Sequence, residues 1–185
     1  MKRKIVIGIG GSSGSIYAKL LLDSLKIHEG LEIGVVMSKN AIINWEIELG
    51  PFDQKTYPFS WYESHDFFAP FASGSAQYEA MVICPSSMGL IGRLAAGISN
   101  NLMTRAADVM LKENRKLIVV PRETPFNLIH LENLKQLVLA GATIIPAIPS
   151  FYSKPKTVEE VCRTVVDRIL DHLEIQNDSI RWGAQ

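Results

Sequence analysis

Apolar and polar residues follow two rhythms along this chain, and the points where one rhythm gives way to the other outline an architecture. Short, largely apolar runs stand at Ile5–Ile7, Leu31–Met37, Ala80–Cys84, Lys116–Val120 and Ala142–Ile145. They have the length and branched content of strands buried on both faces. Between them apolar residues recur every three or four positions, the helical period. Ile16, Leu20, Leu21, Leu22 and Leu25 predict a helix from Ser15 to about residue 28, closed by Gly30. A second helix is expected over Lys39–Leu49. A third follows the Pro85-Ser86-Ser87 turn and is interrupted at Gly97, and a fourth runs from Leu102 to Glu113 behind the turn or cap residues Asn100 and Asn101. Leu128, Leu131, Leu134, Leu137 and Val138 form the stripe of a fifth, which ends at Gly141. Thr157 and Glu160 give the last helix a capping box, with Val158, Val161, Val165, Ile169 and Leu173 as its buried stripe.

Strands alternating with helices predict a doubly wound parallel α/β sheet. Right-handed crossovers then bring the strand-end turns at 10–15, 85–89, 121–125 and 146–152 to one edge. One stretch escapes both rhythms. Residues 50–80 hold Pro51, Pro58 and Pro70 and eight aromatic residues, from Phe52 to Phe71. A loop of that length inside a compact domain is usually functional. It either covers a pocket or a subunit neighbour, or forms a subsidiary strand pair with a small core of its own. The length, 185 residues, predicts a single domain over 1–185, with this excursion at about 50–80 and a tail at about 174–185.

Charge narrows the field. Nineteen basic residues balance nineteen acidic ones, so nothing recommends a nucleic acid or a membrane surface as partner. Cys84 and Cys162 are too few for a disulfide scaffold and suggest a reducing compartment. The basic start runs into a glycine turn after too short an apolar stretch for a signal peptide, and no run could span a bilayer. A cytoplasmic protein is expected. The four histidines are scattered, no Cys/His pair has ligand spacing, and no metal is expected. No G-x-S-x-G elbow nominates a nucleophilic serine.

The candidate chemistry sits in the turns. Lys4–Ser15, KIVIGIGGSSGS, reads as strand, glycine turn and helix start, an arrangement that cradles a phosphate. Glycines fall at 8, 10, 11 and 14; a dinucleotide fingerprint would need one at 13, where Ser13 stands. The second strand ends in Met37 and Ser38, with no acid to hold a ribose. A mononucleotide such as FMN, or a sugar phosphate, fits better. Ser12, Ser13, Ser15, Ser86 and Ser87 are either ligand donors or helix caps. Arg122 and Glu123, between Pro121 and Pro125, pair an anion binder with an acid or base, unless they are an exposed charged turn. Taken singly, Arg105, Lys112 and Arg168 read as surface charges, and Tyr152 and Trp182 as packing residues. On residues alone this is a protein for a phosphorylated, aromatic ligand, and the reaction stays open.

Longer motifs carry a resemblance. GGSSG, CPSSMG, NNLMTRAADVMLKE, VVPRETPF-x-x-IHLENL, GA-x-IIPA-x-PSFY-x-KP and a terminal RWG together resemble the flavin prenyltransferases of the UbiX type. The likeness covers nearly the whole chain and is strongest from Met81 to Pro155. Ser12 stands where the family usually has Ala, and Ser86 where it often has Cys. The resemblance implies a Rossmann-like flavoprotein fold and FMN as cofactor, used reduced as a nucleophile. A dimethylallyl group leaves dimethylallyl phosphate, bonds to flavin N5 and closes onto C6, with no metal, and the product serves a UbiD-type decarboxylase. It also implies a homo-oligomer, a dodecamer of trimers with sites at subunit contacts. Position by position, it implies flavin contacts at Gly11, Ser12, Ser13, Ser38, Ser87, Met88, Gly89, Leu90 and Arg122. Lys112, Tyr152 and Arg168 match the groups that hold the dimethylallyl phosphate, and Arg105 a further site arginine. Glu123 matches an acid/base, Ser13 with Glu48 a proton-handling pair, and Trp182 with Tyr152 an aromatic wall. The alternative is an FMN-dependent peptidyl- or pantothenoyl-cysteine decarboxylase of related fold. Those enzymes use a catalytic His and a P-x-M-N-x-x-M-W motif, in whose place CPSSMG stands. A non-enzymatic FMN carrier would need neither the Arg122–Glu123 turn nor the phosphate-binding set.

Overall fold

A computed structural model describes residues 2–183 of the chain. Six parallel strands form one sheet: β1 (Arg3–Ile9), β2 (Leu31–Met37), β3 (Ser60–Tyr62), β4 (Ala80–Ser86), β5 (Lys116–Pro121) and β6 (Thr143–Ile144). Their order is β3-β2-β1-β4-β5-β6, so the winding reverses between β1 and β4. Ligands of open α/β sheets bind beyond the carboxyl ends of the strands at such a reversal.

Successive residues of β1 enter two different cores, as a strand buried on both sides requires. Ile5, Ile7 and Ile9 pack with α1 (Ser15–Leu25), α2 (Lys39–Leu49) and α6 (Val158–His172). Val6 packs on the opposite face with α3 (Met88–Ala95), α4 (Leu102–Lys112) and α5 (Leu128–Leu139). Each fully buried Ile, Leu or Val contributes about 1.5–3 kcal/mol, and this double core holds the strand ends still.

The structure departs from the sequence reading in five places. Helix α1 stops at Leu25, short of residue 28, and Gly30 lies in the turn before β2. Residues 50–80 do not form a separate strand pair. Their Ser60–Tyr62 segment joins the main sheet beside β2, with Val35 paired to Trp61. Trp61 then meets Phe52, itself edge-on to Trp45, on one face, while Tyr62 meets Phe71 on the other. Gly34 makes room for this, because a Cβ there would lie 2.6 Å from the Phe71 ring. A three-residue strand is too short to show a period.

The α5 stripe is largely turned outward. Leu137 is buried, but Leu128, Leu131 and Val138 are exposed, because α5 leans on α3 and the two-residue β6, where there is little sheet to cover. In α6 the Thr157 hydroxyl accepts from the Glu160 N–H, yet the Glu160 carboxylate accepts from Lys156 N–H instead of closing the box on Thr157. The buried face of α6 is Cys162, Val165, Val166, Ile169 and Leu170, with Val158 exposed. The tail expected over 174–185 continues to Gly183, and its last two positions lie outside the described residues.

Candidate active site

The strand-end turns are joined to one another by hydrogen bonds. Gly10 N–H donates to Pro85 O at 2.9 Å, linking the turns after β1 and β4. A Cβ on Gly10 would stand 2.6 Å from that same oxygen, so this contact requires glycine. Arg122 N–H donates to Ser86 O, and Ala147 N–H to Pro121 O, which adds the turns after β5 and β6. The Ser12 hydroxyl donates to Arg122 O at 2.6 Å, and Arg122 Nε returns a bond to Ser13 O at 3.0 Å. The expected convergence of four turns is what the structure shows.

The first turn differs from a phosphate cradle in one respect. The N-terminus of α1 already holds an anion, the Glu48 carboxylate from the end of α2. It accepts from Gly14 N–H at 3.0 Å and from Ser15 N–H at 2.7 Å. Partial burial pushes this carboxyl up, but bonds from Ser15 N–H, the Ser13 hydroxyl and Gly14 N–H outweigh it and leave Glu48 below its ordinary value. The helix dipole adds to the same preference. Ser13 and Glu48 are thus adjacent. Ser12 is buried with its hydroxyl committed to Arg122, so it shapes the turn from beneath.

Ser38 and Ser87 occupy equivalent places at the starts of α2 and α3. Each caps its helix, Ser38 accepting from Ala41 N–H and Ser87 from Leu90 N–H. A capping hydroxyl oxygen still has its own proton to donate. Leu90 and Met88 send their side chains into the core. Among the described residues, the Met88 and Gly89 N–H groups donate to no other protein group, and nothing lies within 4 Å of where a Gly89 Cβ would be. Free helix-start N–H groups, two donor hydroxyls and the Arg122 guanidinium suit a phosphate ester and a polar ring edge, and so fit FMN. Gly11 is fixed by packing, since its Cβ would meet Asn40 Cβ at 2.6 Å. Glu123 is exposed and its carboxylate accepts from Thr124 N–H at 3.0 Å.

A second group assembles on the flank of α6. Tyr152, Arg168 and Trp182 line a cavity of about 140 Å³ together with Ser150, Thr164 and Asp171. Tyr152 and Trp182 meet edge-to-face with centroids 5.6 Å apart. Tyr152 and Arg168 also line an adjoining cavity of about 270 Å³ walled by Ile145, Pro146 and Ile148. An apolar wall beside a guanidinium and hydroxyls suits a short hydrocarbon carrying a phosphate.

Arg105 and Lys112 are not part of either group. They lie on α4, across the sheet from α6. Arg105 Nε donates to Ala72 O, and its Nη1 to Asp108 at 3.0 Å; Lys112 pairs with Glu113. Helix α4 returns the chain to the start of β5, so Lys112, at its last position, stands at the edge opposite the turns. The expected quartet of Arg105, Lys112, Tyr152 and Arg168 is therefore split within one chain. Spacing along the sequence could not show this, because the face a helix takes depends on which way its crossover runs along the sheet, and that direction reverses between β1 and β4.

Comparison with known proteins decides the family. The flavoprotein family model matches residues 1–170. Flavin prenyltransferase UbiX of Methanocaldococcus jannaschii is 46% identical over 184 residues, covering 98% of this chain and 99% of the relative. This chain belongs to the flavin prenyltransferases. Among solved structures, AnUbiX (PadA1) in complex with FMN and dimethylallyl pyrophosphate superposes with a TM-score of 0.92 at 32% identity, covering all of both chains. A dodecameric FMN-dependent UbiX-like decarboxylase from Escherichia coli O157:H7 gives 0.92 at 35% identity, covering 98% of this chain and 100% of that one.

Within this flavin prenyltransferase fold, three residues escaped the sequence reading: Asp171 and Arg181 on the α6 flank, and Tyr17 on α1 beside the first turn. Asp171 joins Arg168 and Arg181. Tyr17 lies under Gly14 and the Arg122 stem, as a Cβ on Gly14 would meet both. The Asp171 signal was available as Arg168 and Asp171 one helical turn apart. Nothing in the pattern pointed to Tyr17.

Proposed function

We propose that this chain transfers a dimethylallyl group from dimethylallyl phosphate to N5 and C6 of reduced FMN. The observation that carries the proposal is the meeting of Tyr152, Arg168 and Trp182 around one cavity. Bound reduced FMN supplies the nucleophilic N5 and the C6 carbon at which the ring closes. Ser38, Ser87, the free N–H groups of Met88 and Gly89, and Arg122 hold it at the turns. Arg168 and the Tyr152 hydroxyl bind the allyl phosphate and stabilise the dianion that departs when the C–O bond breaks. The faces of Tyr152 and Trp182 attract the allyl cation left behind, by about 0.5–2 kcal/mol each. Glu123 accepts the proton lost at C6, and Ser13 with Glu48 handles a proton at the flavin edge.

Arg105 and Lys112 enter this scheme from another copy of the chain. A homo-oligomer, a dodecamer of trimers, would bring α4 of one protomer to α6 of another. The outward Leu128, Leu131 and Val138 of α5, and the exposed Phe67 and Phe68, supply apolar surface for such contacts. We take the whole chain as one FMN domain, place it in the cytoplasm and assign its product to a UbiD-type decarboxylase. Cysteine decarboxylation is the weaker reading: His130, for one, belongs to the start of α5, where Asn127 caps it.

The test is anaerobic incubation with reduced FMN and dimethylallyl monophosphate or diphosphate, followed by mass analysis of the flavin. A gain of one five-carbon unit is expected. Unaltered flavin with both donors would reject the proposal.

A further inference from the structure

Asp171, near the end of α6, is the most heavily shared carboxylate in the described residues of the α6 flank. Its Oδ2 accepts from Arg168 Nη1 at 2.9 Å. Its Oδ1 accepts from Asn177 Nδ2 at 3.0 Å and pairs with Arg181 Nη1 at 2.6 Å. An isolated (i, i+3) pair on a helix surface contributes little. This carboxylate is different, because its side chain is only 15% exposed and two of its three donors come from the tail. Asn177 spends the rest of its amide on the same path: Nδ2 also reaches Ile175 O, and Oδ1 accepts from Ser179 N–H. The tail from Ile175 to Arg181 is thus led back across α6 and fastened at one point. Trp182 follows directly and comes edge-on to Tyr152. Asp171, Arg168, Arg181, Trp182 and Tyr152 all face the 140 Å³ cavity.

Two consequences follow from the geometry. One Nη of Arg168 is anchored, so the remaining edge of its planar fork is turned before any phosphate arrives, and less freedom is lost on binding. The cavity wall that Trp182 forms exists only while the tail is fastened. Asp167, one turn earlier on α6 and half-buried in the same cavity, makes no hydrogen bond to either arginine among the described residues, so it does not duplicate the role.

We propose that Asp171 is a positioning residue that clamps Arg168 and the Trp182-bearing tail together around the prenyl phosphate, setting affinity for that substrate. The proposal rests on the prenyl-transfer reading above, but the clamp itself is testable without it.

The experiment compares Asp171→Asn, Asp171→Glu and Arg181→Ala with the wild-type protein. Trypsin should cut after Arg181 about tenfold faster in Asp171→Asn, because the arginine is released from its partner. With reduced FMN present, Asp171→Asn should raise KM for dimethylallyl monophosphate about tenfold and leave kcat within about threefold, a loss of binding ahead of chemistry. FMN affinity should not change. Asp171→Glu should restore part of the KM. Arg181→Ala, at an exposed position, should raise KM similarly, and the double variant should be no worse than Asp171→Asn because both remove one clamp. Unchanged KM in Asp171→Asn and Arg181→Ala, or unchanged tryptic cleavage in Asp171→Asn, would overturn the proposal. Absence of prenylated flavin from the wild-type protein would instead reject prenyl transfer, with the tryptic comparison still deciding the clamp.

Discussion

The turns at the β1/β4 edge and the cavity on the flank of α6 are built by different means. At the edge, backbone meets backbone: Gly10 to Pro85, Arg122 to Ser86, Ala147 to Pro121. Glycines permit those approaches, and a double core fixes the strands behind them. On the flank, side chains do the holding, through one shared carboxylate and an edge-to-face aromatic pair. On the function proposed above, the first region is a rigid seat for the flavin and the second an adjustable clamp for the prenyl phosphate. Damage to the two regions should therefore be separable: one loses flavin, the other loses turnover with flavin in place.

The largest expected effect lies in the turn after β5. Glu123→Gln should slow product formation by about 10²–10⁴, the range of a lost proton-transfer group, with FMN still bound. Single-turnover kinetics with flavin absorbance would check both halves of that statement, and unchanged turnover would remove Glu123 from the scheme. Next comes Arg168→Ala, which should lower kcat/KM for dimethylallyl phosphate by about 10²–10³ while FMN affinity stays at the wild-type value. If FMN binding falls with it, the two regions are not separable. Gly10→Ala should do the reverse. Its Cβ would press on a backbone oxygen, so the turns must move apart, with a stability loss of about 1–3 kcal/mol and a fall in FMN affinity of about tenfold or more. Denaturant melts and flavin titration would measure these.

Glu48→Gln gives the smallest effect on stability and a pH signature. The folded carboxyl lies below its ordinary value of 4.5, so its stabilisation is fully present above that pH and is lost as pH falls through the folded value. The variant should be less stable by about 0.5–1 kcal/mol at neutral pH, after allowance for solvent screening, and the gap should close as pH falls through the depressed folded value. Melts across that range would show it; a gap independent of pH would mean that the carboxylate charge contributes nothing.

The same contrast explains what could be read from the sequence. Five of the six strands, the helix starts at Ser15, Lys39, Leu102 and Val158, and the converging turns follow from apolar period, glycine placement and caps, which are local. Ser13 and Glu48 could be paired only through the family resemblance, since 33 positions separate Ser15 from the carboxylate it meets. The outward stripe of α5 was misread because periodicity says that a helix has an apolar face, and not which neighbour the face meets. Arg105 and Lys112 were grouped with Tyr152 and Arg168 for the same reason: chemistry was legible at each position, while the side of the sheet was not. The shared role of Asp171 depends on the tail folding back, which no local rule encodes.

The central claim is that the flavin seat and the prenyl clamp serve one reaction, completed by α4 of another copy. Co-expression of Lys112→Ala with Arg168→Ala tests it directly. Each variant alone should be nearly inactive. Mixed oligomers should recover about a quarter of wild-type prenylated flavin, the share of sites that draw both wild-type groups from different copies. No recovery above the separate variants, in oligomers shown to contain both chains, would contradict the account.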